Sequence, residues 1–122
     1  VVAWDASRAA ARAVSDALPL LERAKSVTVV SVNPRPNLFG HGEVPGADIA
    51  LHLARHGLKV EVHRLEARDI DTANAILSYV ADAGCDLLVM GGYGHSRLRE
   101  LVLGGVTRTM LGEMTVPVLM AH

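Results

Sequence analysis

Apolar residues along this chain fall into two alternating patterns, short solid runs and longer stripes at helical spacing. Val1 to Trp4 is an apolar run closed by Asp5 and predicts a buried strand. From about Arg8, Ala10, Val14, Leu18 and Leu21 recur with the period of a helix, and Ser7 stands where an N-cap belongs. Pro19 lies inside that stripe and removes the hydrogen bond to the Ser15 carbonyl, so a kink or break is expected there. Ser26 to Val32 is a second apolar, β-branched strand. Residues 33–46 hold three prolines and three glycines and predict the longest loop, with mobility expected. Ala47 to His56 reads as a short helix stopped by Gly57. Lys59 to Leu65 alternates, with Val60 and Val62 on one face and Glu61 and His63 on the other. A third helix is predicted from Asp71 to Ala83, with Ala73, Ile76, Leu77 and Val80 inward and Gly84 as its stop. Asp86 to Met90 is another apolar strand, followed by a glycine-rich segment, a helix from about Val106 to Met114 and a last strand over Val116 to Ala121.

Strands and helices alternating in this way predict an α/β domain with a parallel sheet built from right-handed crossovers. The 59–65 strand is half polar and the last strand carries Pro117, which suits both to the sheet edges. The other three are apolar throughout, as strands covered on both faces should be. A three-layer, open, parallel, five-stranded Rossmann-like sheet in the order 3-2-1-4-5 satisfies all of this. Its topological switch falls between strands 1 and 4, which places Asp5 and the residues from Gly91 onward at the crevice where ligands bind.

Length and charge narrow the function. The chain has 122 residues, enough for one domain over 1–122, and half of them are hydrophobic, so a core needs no metal or disulfide. Twelve Lys and Arg against thirteen Asp and Glu give a net charge of −1, which argues against a nucleic-acid groove. Cys85 is the one cysteine and has no partner in the chain, so it is expected to be an inert residue beside a buried strand. No apolar stretch reaches membrane-spanning length and no signal-peptide pattern opens the chain, so a cytoplasmic location is expected. Val1 begins inside an apolar run, and a trimmed chain or one half of a longer protein is expected.

Six of the eleven glycines lie between positions 91 and 112. Gly91-Gly92-Tyr93-Gly94 follows a strand and Gly104-Gly105-Val106-Thr107 opens a helix. Backbone N–H groups exposed at such a helix start favour an anion, and a phosphate chain is the natural guest. Tight βα turns use glycine as well, and residue type alone leaves the two readings open. The named phosphate motifs fail: no Walker A lysine motif occurs, and the dinucleotide pattern begun at Gly92-Tyr93-Gly94 breaks at Arg97. Gly94-His95-Ser96-Arg97-Leu98 lacks the last glycine of a nucleophile elbow.

The spacing that does match is glycine, two residues, glycine, nine residues, glycine, at Gly91, Gly94 and Gly104. With it, the chain resembles the universal stress protein family from end to end. Ala3-Trp4-Asp5-Ala6-Ser7 is similar to that family's opening strand and acidic turn, and Val30-Ser31-Val32 to its second strand. Gly84 to Gly91 is similar to its fourth strand, and Val116-Pro117-Val118-Leu119 to the closing strand through which many members dimerise. The resemblance implies an adenine nucleotide alpha hydrolase-like fold and a regulatory stress-response module that binds ATP or AMP, with Mg²⁺ as a possible companion of ATP. It places Asp5 at the ribose or adenine side, Ala3 and Val32 along the adenine, and Met90 and Gly91 beside the nucleoside. Gly94, Gly104, Gly105, Val106 and Thr107 would hold phosphates. It also implies a homodimer through the last strand, or pairing with a second such domain. Two positions depart from the family pattern. Ala6 replaces a glycine, a mild change, and Gly105 stands where Ser or Thr donates a hydroxyl to phosphate, a part that Thr107 is expected to take over.

Two other functions compete. An interaction module that has lost nucleotide binding is favoured by Gly105. A slow ATPase needs a base and Mg²⁺ ligands, and only Asp5 and Glu100 offer carboxylates nearby, so no catalytic residue is assigned. The acidic cluster of a response-regulator receiver is missing. His52 and His56 are spaced to share a metal but lack a third ligand, so no metal site is assigned and an exposed polar face is expected. His95 and Arg97 either reach a γ-phosphate or are solvated, and Tyr93 either closes over the site or covers the sheet end. Asp5 is singled out because a carboxylate ending a buried strand has few structural reasons to be there.

Overall fold

The computed structural model describes residues 1–34, 44–92 and 105–122, and in it strand and helix alternate as the sequence predicts. The strands are β1 (Val2–Ala3), β2 (Val27–Val32), β3 (Val60–Leu65), β4 (Leu88–Gly91) and β5 (Val118–Ala121). The helices are α1 (Arg8–Leu21), α2 (Ala47–Ala54), α3 (Thr72–Asp82) and α4 (Gly105–Glu113). All strand pairs are parallel and the order is β3-β2-β1-β4-β5, as expected. Pro117 ends just before β5, where its carbonyl still accepts from the Leu88 N–H and its missing donor costs nothing. Most of the predicted loop 33–46 lies outside the described residues.

Strand alternation gives the sheet two apolar faces. On one, Val2, Val27, Val29 and Val89 pack against Ala13, Val14 and Ala17 of α1 and against Ile49 and Leu53 of α2. On the other, Leu88 and Met90 pack against Ile76 and Val80 of α3 and Met110 of α4. Register aligns Ala3 with Val30 on one side and with Met90 on the other; β1 ends at that level, while β2 continues two residues to Val32 and β4 one residue to Gly91.

Local chemistry explains the element ends. Ser7 accepts from the Ala10 N–H at 3.0 Å and starts α1, and Asp71 accepts from the Asn74 N–H at 2.8 Å and starts α3. Gly57 and Gly84, at φ +83 and +63, stop α2 and α3 as expected. The expected break at Pro19 does not occur, because α1 continues to Leu21. Pro19 sits on the exposed side near the helix end, where Ser15 is exposed too and water can serve its carbonyl.

Ala6 is not the mild change it looks from sequence. Its φ is +61, a left-handed conformation that costs a residue with a Cβ about 1–2 kcal/mol. Gly at this position relieves that strain and costs about 0.5–1 kcal/mol in backbone entropy. Ala6→Gly is therefore expected to stabilise the domain by about 0.5–1 kcal/mol. An unchanged or lower urea midpoint for the variant would count against this assignment.

Candidate functional site

The crevice expected between strands 1 and 4 is bounded by the ends of β1, β2 and β4 and by the start of α4. Four residues singled out from sequence share one apolar cluster on one face of the sheet. Met90 is buried in the apolar cluster of the α3/α4 face, and Ala3, Val32 and Val106 are partly buried against that same cluster. This gives an apolar floor, contributed by three adjacent strands and one helix, at the carboxyl end of the sheet. Gly105, the first residue of α4, is exposed beside it. Among the described residues no atom lies within 4 Å of where a Cβ at Gly105 would stand, and its φ is not left-handed. The floor suits a flat apolar ring, and the helix start suits an anionic group.

Asp5 is exposed on the turn after β1, and its Oδ1 accepts from the Ser7 N–H at 2.9 Å. That bond supplies one of the few structural reasons expected for a carboxylate there. It holds the backbone that swings left-handed at Ala6 and presents Ser7 as the cap of α1. Its other oxygen has no partner among the described residues.

Thr107, expected to take over the phosphate hydroxyl, is a buried residue of α4. It is 3% exposed and lies three residues before buried Met110, on the inward stripe of α4, whereas Gly105 is exposed. Gly91 also has a packing reason for its identity. A Cβ there would lie 2.6 Å from the Ala10 nitrogen and 2.9 Å from the Ala9 carbonyl carbon, on the α1 side of the sheet. Gly94 and Gly104, and with them Tyr93, His95, Arg97 and Glu100, lie outside the described residues.

Asn33, which sequence reasoning passed over, stands at the rim next to Val32. Its φ is +45, and its amide exchanges two hydrogen bonds with the backbone of Ala67. An Asn directly after an apolar strand and before a proline is the signal that could have marked it. His52 of α2 and His56 of the turn after it, both exposed, pack edge to face with ring centroids 5.0 Å apart. Among the described residues no group of three or more His, Cys, Asp and Glu side chains converges as a metal site. Cys85 donates to the Leu87 carbonyl at 2.9 Å. No helix among the described residues is long and apolar enough to cross a membrane.

Comparison with known proteins agrees with this architecture. The universal stress protein family model matches residues 1–122. Universal stress protein Slr1230 from Synechocystis sp. is 42% identical over 67 residues, 55% of this chain. The match spans 22% of that protein's length. Among solved structures, hypothetical protein MJ0577 superposes with a TM-score of 0.79 at 21% identity, over 98% of this chain and 92% of its own. A universal stress protein in complex with cAMP superposes with a TM-score of 0.68 at 19% identity, over 99% of this chain and 94% of its own. These two likenesses establish the fold, and the match over all 122 residues establishes the family: the chain belongs to the universal stress proteins.

Proposed function

We propose that this domain binds an adenine nucleotide, ATP or AMP, at the carboxyl end of the sheet and serves as a regulatory module of the stress response. The observation that carries the reading is the shared apolar cluster of Ala3, Val32, Met90 and Val106 beside the exposed start of α4. In this reading the adenine lies along Ala3 and Val32, with Met90 and the Gly91 backbone beside the nucleoside. The second oxygen of Asp5 takes a ribose hydroxyl. Backbone N–H groups of Gly105, Val106 and Thr107, with Gly94 and Gly104 of the glycine-spaced segment, receive the phosphates. Mg²⁺ would enter as part of the ATP complex, neutralising phosphate charge. The cAMP complex of a structural neighbour supports an adenine nucleotide as the ligand class.

The test is calorimetry with ATP, AMP and GTP, together with mass spectrometry of ligand released from the purified, denatured protein. Saturable binding of ATP or AMP in preference to GTP is expected. A protein that carries no nucleotide and takes up none at millimolar concentration would instead be an interaction module, the reading that Gly105 favours. Phosphate release from ATP at a steady rate would place it with the slow ATPases.

Pairing is proposed through β5, with a second copy or a second such domain. All four β5 residues are only partly buried at the sheet edge, and Leu111 and Met114 are exposed on the adjoining chain. Light scattering is expected to give a dimer mass at micromolar concentration. A monomer would return β5 to the role of an open edge.

A further inference from the structure

Asn33 has three features that fit together. Its backbone is left-handed, a conformation that Asn tolerates better than most residues with a Cβ. Its own N–H donates to the Leu65 carbonyl at 2.8 Å, one step beyond the end of the β2–β3 ladder. Its side chain then continues the ladder without a strand. Nδ2 donates to the Ala67 carbonyl at 2.9 Å, and Oδ1 accepts from the Ala67 N–H at 2.7 Å. Only a side chain with both a donor and an acceptor can read a backbone N–H and C=O at once. Glycine would adopt the backbone but make neither bond, and aspartate would accept from the N–H but face the carbonyl with a second negative oxygen.

These bonds are exposed, so they contribute little to global stability and act on local order instead. What they order is the connection from β3 to α3. Ala67 is held by Asn33 at one end, and Asp71 caps α3 at the other, leaving only residues 68–70 between two fixed points. The connection is thereby tied to the residue that follows Val32, which itself packs against the apolar cluster that α3 helps to build.

We propose that Asn33 is a positioning residue: it holds the β3–α3 connection as one wall of the crevice beside Val32 and so sets the affinity for the base end of the nucleotide. This rests on the nucleotide reading of the same crevice. Without the clamp the wall samples other positions, and a ligand that needs it in place loses affinity in proportion to the population lost. The phosphate end, at the start of α4, is served by other residues and should not feel the change.

The experiment compares Asn33→Gly with the unaltered protein, reading amide hydrogen exchange at Ala67 and calorimetry with ATP, adenosine and inorganic tripolyphosphate. Exchange at Ala67 is expected to accelerate about tenfold or more, as a local opening replaces a closed bond. ATP and adenosine are expected to weaken by a common factor of about fivefold, with tripolyphosphate unchanged. Asn33→Asp, which keeps one bond, should fall between the two and carries the test if the glycine variant does not fold. Faster exchange with unchanged ATP and adenosine affinity overturns the positioning role and leaves the nucleotide reading standing. Equal weakening of all three ligands overturns it as well, since the effect would then be global. If the unaltered protein binds neither ATP nor adenosine, the nucleotide reading itself fails, and the role of Asn33 falls with it.

Discussion

Gly91→Ala is expected to destabilise the domain by about 3 kcal/mol, the upper part of the usual range for overpacking and a large share of a small domain's stability. The added Cβ would lie 2.6 Å from the Ala10 nitrogen and 2.9 Å from both the carbonyl carbon and the Cβ of Ala9. Two of those three atoms are backbone in the first turn of α1, so relief requires the whole helix to move off β4. Gly92 is the natural control. A Cβ there would meet Cγ and Sδ of Met120 at 2.9 Å, but that side chain can change rotamer, and the cost is expected to stay below about 1 kcal/mol. Urea denaturation of the two variants checks the contrast. Equal midpoints would mean that α1 is not seated on β4 as closely as the structure has it. The comparison also guards against a false inference, because lost ligand binding in Gly91→Ala would follow from the displaced helix whether or not residue 91 touches the nucleotide.

Gly91 shows which parts of the chain were legible before the fold was known. Strand order was legible because it depends on composition, namely which strands are apolar on both faces and which carry polar residues or Pro117. Helix starts were legible where a side chain caps its own helix, as Ser7 and Asp71 do. Features that depend on a partner far along the chain were not. The demand for glycine at 91 arises from Ala9 and Ala10, and the clamp at Asn33 arises from Ala67. Backbone hand was hidden too: Ala6 resembles any alanine until its φ is known. Asp5 was read as functional because its structural duty, accepting from Ser7 two residues on, is a turn geometry that residue type alone does not fix. Trp4 and Ser31 are buried, and their Nε1 and Oγ have no partner among the described residues, a cost that the apolar pattern does not announce. Burial also separates the Thr107 side chain from exposed Gly105, a contrast that residue type does not announce.

That separation makes residue 105 the sharpest probe of the proposed phosphate site. Gly105→Glu is expected to move stability and binding in opposite directions. The position is exposed, helical and open to a Cβ among the described residues, so a side chain enters without a clash. Replacing glycine in a helix and placing a carboxylate at its N-terminus each stabilise, together by about 0.5–1.5 kcal/mol at a helix end. The same carboxylate would stand where the proposal puts phosphate. Like charges about 5 Å apart near a protein surface repel by roughly 1.5–3 kcal/mol after screening, or about 10- to 100-fold in affinity. ATP should therefore weaken by about that factor, AMP less, and adenosine hardly at all. Gly105→Ser is the uncharged companion. It restores the hydroxyl that the family carries and is expected to tighten ATP by up to about fivefold, worth on the order of 1 kcal/mol. A variant that misfolded would lose stability and all three ligands together, whereas a blocked phosphate site gains stability while losing ATP. If Gly105→Glu raises the melting temperature and leaves ATP affinity untouched, the phosphates do not lie at the start of α4.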